Sequence, residues 1–333
     1  MMKDFLSINK KGLITMLFVL VLVKSNACEH QPRLHEPQTN FGVLCDLCSC
    51  STSSGSMGFG TLNNANFVGF RYIYQTFESQ NGIFQNSPKS KETFNTYQLW
   101  GQIPVKNNFY FSVNLPYQDL NRTLNQTTEN INGIGDANII AWYKLPLLKK
   151  KESGGTVDYN TTSETTGHSL LFGLGVKLPT GKFEELLADN VNPGFQVGTG
   201  SFDGILSAGY SYAGKKIGVN TLLSYYLKGE NKNEYKFGDQ ISFSANAYTV
   251  FNTNKVNFMP FVGVSGDAYN KITQYGETLN DTDGNVINAS LGTEVNIKTF
   301  VLGVNFTKPI HQDLFGGNVK SKNRLTLYLN YSL

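Results

Sequence analysis

The chain has 333 residues and a formal net charge of +3; 16% of its residues are charged, 13% are aromatic, and 33 are glycine. So small a net charge argues against a nucleic-acid partner, and the charged fraction falls below the roughly 25% of ordinary soluble domains. The one conspicuous basic run, Lys149-Lys150-Lys151, reads as a solvated loop.

In chain order, residues 1–27 have the build of a secretory signal peptide. Lys3, Lys10 and Lys11 give a positive start, and Leu13–Val23 is an apolar run of about eleven residues, short for a membrane span. Ser25-Asn26-Ala27 then offers small residues to a signal peptidase. Cleavage there leaves Cys28 first. Lipidation of Cys28 is the rival reading, and Ser25 fits the lipoprotein pattern poorly. No later apolar run reaches eighteen residues, which excludes a helical membrane protein and leaves a secreted soluble protein or a transmembrane barrel.

Residues 28–65 form an extension rich in Ser, Gly and Asn that carries all four cysteines, Cys28, Cys45, Cys48 and Cys50. Two readings stay open. In an oxidising compartment four cysteines make two disulfides, with three connectivities. Thiolates as close as Cys45, Cys48 and Cys50 also suit copper(I) or zinc, although a second C-x-x-C is missing. No other cofactor is indicated. The segment lacks the apolar content to fold alone, so it is a tether, a plug or a metal segment.

From residue 66 the dominant signal is alternation. Phe109, Phe111, Val113 and Leu115 alternate with Tyr110, Ser112 and Asn114; Ile241, Phe243 and Ala245 alternate with Ser242, Ser244 and Asn246; Phe300, Leu302, Val304 and Phe306 alternate with Val301, Gly303 and Asn305. Period two puts each set on one face of a strand, one set toward lipid and the other toward a wet lumen. Twelve segments are predicted, at 67–78, 92–103, 107–118, 134–145, 168–178, 202–213, 216–228, 238–251, 256–270, 284–294, 298–309 and 323–333. Most are long for globular strands and suit tilted membrane strands. Short turns near Val105-Lys106, Gly214-Lys215, Thr253-Asn254 and Asn296-Ile297 alternate with longer loops at 79–91, 119–133, 179–201, 229–237, 271–283 and 310–322. The connection 146–167 breaks the pattern: it is long, yet parity puts it with the short turns. The predicted class is therefore all-β: a membrane-spanning, antiparallel up-and-down barrel over 66–333. Leu325, Leu327, Leu329, Tyr331 and Leu333 end the chain in a pattern like the C-terminal signal read by the barrel assembly machinery.

Several stretches resemble the outer-membrane family named for the meta-pathway of phenol degradation, whose members are called transporters. They are Gly133-Ile134-Gly135-Asp136, Leu178-Pro179-Thr180-Gly181, Pro193-Gly194, Gly198-Thr199-Gly200-Ser201 and Pro309-Ile310-His311-Gln312. The resemblance covers about 66–333 and implies an outer-membrane barrel with uptake of small, hydrophobic molecules. The glycine run at 198–201 precedes a strand rather than a helix, so it is not a phosphate loop. Parity marks Arg71, Asp136, Lys177, Asp203 and Asp267 as lumen candidates. Taken singly, each also fits a charge that merely pairs and fills space. An enzyme finds little support: His168 and His311 stand outside any nucleophile or zinc motif. The expected function is a channel for small solutes; the alternative is a metal-handling surface protein anchored by its barrel. Expected partners are outer-membrane lipid, the assembly machinery and a small-molecule solute.

Overall fold

A computed structural model describes residues 66–80, 88–106, 108–124, 126–147, 167–187, 190–214, 216–253 and 256–333. The expected signal peptide at 1–27, the extension 28–65 and every cysteine lie outside the described residues.

Twelve staves form a closed antiparallel barrel. They are β1 (Phe67–Gln80), β2 (Lys89–Lys106), β3 (Phe109–Leu124), β4 in two pieces (Thr127–Ile134 and Ala137–Pro146), β5 (Gly167–Leu178), β6 (Asp203–Ala213), β7 (Ile217–Leu227), β8 (Gln240–Thr249), β9 (Asn257–Tyr269), β10 (Gly284–Ile297), β11 (Phe300–Leu314) and β12 (Val319–Ser332). Each pairs with its sequence neighbour, and β12 returns to β1, from Phe67 opposite Ser332 to Ser79 opposite Val319. At the seam Asn66 Nδ2 donates to the Leu333 carbonyl at 2.9 Å. Closure leaves no edge, as backbone groups in hydrocarbon require.

The predicted phase holds. Phe111, Val113, Phe172, Phe243 and Phe306 point outward and are exposed, while Ser112 points inward and accepts the Trp142 Nε1–H at 2.9 Å. Exposed aromatics and aliphatics in such numbers would drive aggregation in water and belong in lipid. Pro146 and Gly167, the strand ends that flank the long connection, lie at the end that also holds the short turns, so the strand assignment was sound and the connection is irregular in its length alone.

Three expected loops are corrected. Most of 119–133 and 310–322 is strand, and 79–80 and 89–91 are strand at the two ends of 79–91, because β1–β4, β11 and β12 continue outward. The reason is physical. Only lipid demands an apolar outer face; past the membrane the outward residues are Asp119, Asn121, Asn130 and Asn132, and the hydrophobic alternation disappears while the backbone ladder continues. By contrast, β5–β9 stop early, at Leu178, Asp203, Leu227, Gln240 and Tyr269. Their connections fold inward instead. A small sheet joins two of them: Tyr235–Lys236 pairs with Thr273–Gln274, which pairs with Glu277–Thr278.

Candidate functional site

The interior has two storeys. At the end opposite Asn66 and Leu333, Phe77, Phe94, Leu120 and Ile131 from β1–β4 meet Leu314 and Val319 from β11 and β12. Into that ring the inward connections insert Phe195, Val197, Tyr235, Phe237 and Ile272. Phe195 lies 6.0 Å from Phe94, and the Arg122 guanidinium stacks 4.9 Å from its centroid. The result is an apolar core across the outer mouth, beneath which the wall is mostly polar.

The connection 179–202 reaches this core because it is fastened to the wall. Asp136 sits in the break between the two pieces of β4, and its carboxylate accepts the Gly181 N–H at 3.0 Å, the Thr199 N–H at 2.9 Å and the Thr199 hydroxyl at 2.6 Å. Lys177, at the end of β5, lies 3.3 Å from Asp136 and 2.8 Å from Asp203 at the start of β6. Lys228, just beyond β7, adds a second cation 3.4 Å from Asp203. The Ser201 hydroxyl and the Gly229 N–H complete Asp203 at 2.9 and 3.1 Å. All four charges are buried, and each has an opposite partner, which is the condition for keeping charge out of water.

The motifs read from the sequence converge here. The Thr180 hydroxyl donates to the Gly135 carbonyl at 2.7 Å and accepts the Ala137 N–H at 2.9 Å. Gly181 and Gly198 touch backbone to backbone: a Cβ on Gly198 would stand 2.5 Å from the Gly181 carbonyl carbon. Only glycine permits that approach. Gly133–Asp136, Leu178–Gly181 and Gly198–Ser201 are thus three strands of one knot. Pro309–Gln312 lies elsewhere, at a bulge in β11, where the Gln312 side chain bridges Ser321 N and O at 2.8 and 3.1 Å.

Of the five lumen candidates, Asp136, Lys177 and Asp203 come together, while Arg71 and Asp267 stand apart. Arg71 lies 3.7 Å over the Trp100 ring and donates to Gln98 at 3.3 Å. Asp267 accepts from Ser242 at 2.7 Å and from Gln240 at 3.1 Å. Sequence reading missed Lys228, Glu92 with its Ser79 and Ser90 donors, and the Glu294–Tyr328 pair. Parity alone would have reached Glu294, which is buried within β10. His168 bonds the Tyr210 hydroxyl at 2.6 Å and His311 is exposed on β11, so the two share no site. Among the described residues no group of three or more His, Cys, Asp or Glu is placed to hold a metal; Cys45, Cys48 and Cys50 lie outside them.

The comparisons bear on the fold. The COG4313 outer membrane channel from Pseudomonas putida F1 superposes with a TM-score of 0.57 at 12% identity, covering 81% of this chain and 96% of that one. The fold is that of an outer-membrane barrel. Weaker matches include the translocator domain of the autotransporter NalP from Neisseria meningitidis, at TM-score 0.43, 10% identity and coverage of 81% and 90%. The NanC porin matches at TM-score 0.42, 10% identity and coverage of 80% and 100%. No protein-family model matches the sequence. No curated protein matches it either. A closed barrel belted by outward apolar side chains places the protein in a bacterial outer membrane, in contact with its lipid.

Proposed function

We propose that the protein is a channel for small solutes with apolar character, closed at rest by the inward connections and opened by movement of 179–202. The observation that carries this reading is the two-storey interior: an apolar core at the outer mouth above a polar-lined lumen. A solute with an apolar body pays little to enter such a mouth, whereas a bare ion is repelled by it. Lys177, Asp136 and Asp203 then hold the gate, and Arg71 and Asp267 line the path below. Membership of the phenol meta-pathway transporter family fits the same reading, because three of its motifs build the knot that holds the gate. The channel carries no chemistry of its own, and the final strand is what the assembly machinery reads.

Single-channel recording in planar bilayers tests it. Refolded barrel is expected to show small, infrequent openings, and Asp136→Asn is expected to open more often. Removal of residues 28–65 adds conductance if that segment is a plug and changes nothing if it is a tether. A barrel that never conducts, with or without the Asp136 change, and admits no apolar solute into liposomes sinks the proposal.

A further inference from the structure

The tall hairpins carry a surface that the channel reading leaves unused. On the outer wall, Tyr72, Tyr97 and Tyr117 stand side by side across β1, β2 and β3, with ring centroids 5.2 and 6.5 Å apart. Such a row marks the outer boundary of the hydrocarbon. Just beyond it lies a shelf of amides around Asp119. Asn130 Nδ2 donates to Asp119 at 2.6 Å, the Tyr72 hydroxyl to Asn95 at 2.8 Å and the Tyr117 hydroxyl to Asn132 at 3.2 Å. Further out the register sets Lys91 and Lys320 on either side of Glu78, and Lys89 beside Gln80. A bulge in the β1–β12 pairing accompanies Lys322, whose ammonium pairs with Glu78 at 2.8 Å. Across the outward faces of β12, β1 and β2 above the tyrosines, four lysines meet one glutamate, and Asp119 of β3 is the second acidic group of the wall, in the amide shelf below them.

We propose that this wall docks a phosphorylated glycolipid of the outer leaflet. Lysine ammonium groups attract phosphates, and amides pair with sugar hydroxyls. Height selects the occupant. Lys91 is six residues beyond Tyr97 on β2. With a rise of about 3.3 Å per residue and a tilt of about 40°, it stands about 15 Å above the tyrosines. A phosphoglycerol headgroup ends below that level, whereas a saccharide of two or more rings carrying phosphates reaches from the amide shelf to the lysines. The inference depends on the barrel and its orientation and is independent of whether the channel conducts.

Native mass spectrometry of the detergent-solubilised full chain tests it, with two probes: a purified phosphorylated lipopolysaccharide of short chain and phosphatidylglycerol. The lipopolysaccharide is expected to bind at least about tenfold tighter, and to weaken by about tenfold as salt rises from about 0.05 to about 0.3 M. Enzymatic removal of its phosphates is expected to abolish that preference on the unaltered protein. Changing Lys89, Lys91, Lys320 and Lys322 together to Gln is expected to do the same, while Lys216→Gln and Lys298→Gln at the opposite end are expected to leave it intact. The unheated gel shift reports that each variant is folded. Should the fourfold change fail to fold, the pairs K89Q/K91Q and K320Q/K322Q are read separately. Equal binding of both lipids, binding of neither, or indifference to phosphate removal overturns the proposal.

Discussion

Asp136 plays two parts at once. It is one residue of a glycine-rich break in a strand, and it is the acceptor that holds Gly181 and Thr199, 45 and 63 residues away. Asp136→Asn keeps the shape but halves the acceptor capacity and removes the charge facing Lys177. Hydrogen bonds to a charged group contribute about 1.5–3 kcal/mol each, so the barrel is expected to lose about 2–3 kcal/mol in urea unfolding. A loss under about 0.5 kcal/mol would mean that the knot is decoration. Parity gave the direction of this side chain, but its partners come from connections with no periodicity, and no sequence rule joins Asp136 to Thr199. Tyr328 makes the same point with space instead of charge: its ring fills the room above Gly303 of the neighbouring strand, where a Cβ would come within 2.0 Å. The glycine reads as a weak spot in a strand until the ring across from it is known.

Strands and connections obey different rules. Along β8, Phe243 faces lipid and Ser244 the interior. Phe243→Lys is expected to cost about 2–4 kcal/mol near mid-membrane, and Ser244→Lys much less. Comparable losses at the two positions, measured by reversible unfolding into lipid vesicles, would put the phase in error. The connections are tied by polar contacts instead. Lys232 pairs with Glu184 at 2.7 Å and Asn233 donates to it at 2.9 Å, joining 179–202 to 228–239 outside the membrane. The Lys232 hydrogen bond comes first among the causes that hold the Glu184 carboxyl below its ordinary value, with burial opposing. A depressed folded pKa stabilises above the unfolded value, about 4.3, and that contribution is lost as pH falls through the folded one. Both groups are well exposed, so the effect is small and salt-sensitive. Amide protection in these two connections, corrected for the intrinsic exchange rate, is therefore expected to weaken as pH falls below the unfolded value, and Glu184→Gln is expected to remove that pH dependence. A pH response that survives the substitution assigns it to other carboxylates.

For the whole molecule, closure is the governing fact. The mature chain is expected to sediment with outer membranes and to run faster on gels when unheated, because a barrel without edges resists detergent until boiled. Release of the protein into the soluble periplasmic fraction would contradict the fold itself. The sequence by itself determined the class, the strand phase and the two ends of most staves, because lipid imposes one rule on every membrane strand: apolar outward, small or polar inward. It was silent where that rule lapses. Above the membrane both faces of β1–β4 are free of lipid, so strand passed for loop. Inside the mouth, Phe195, Tyr235 and Ile272 belong to connections whose apolar residues have no period, and only the tertiary structure decides that they turn inward to cover one another. The charges of the knot depend on strand register: Lys177 faces Asp203 directly across the β5–β6 ladder, and Lys228 follows Leu227, which faces Gly204, so the pairing of three successive staves brings them within 3.4 Å. A periodic constraint can be read one residue at a time; a meeting of strand ends exists only once the pairing register is set.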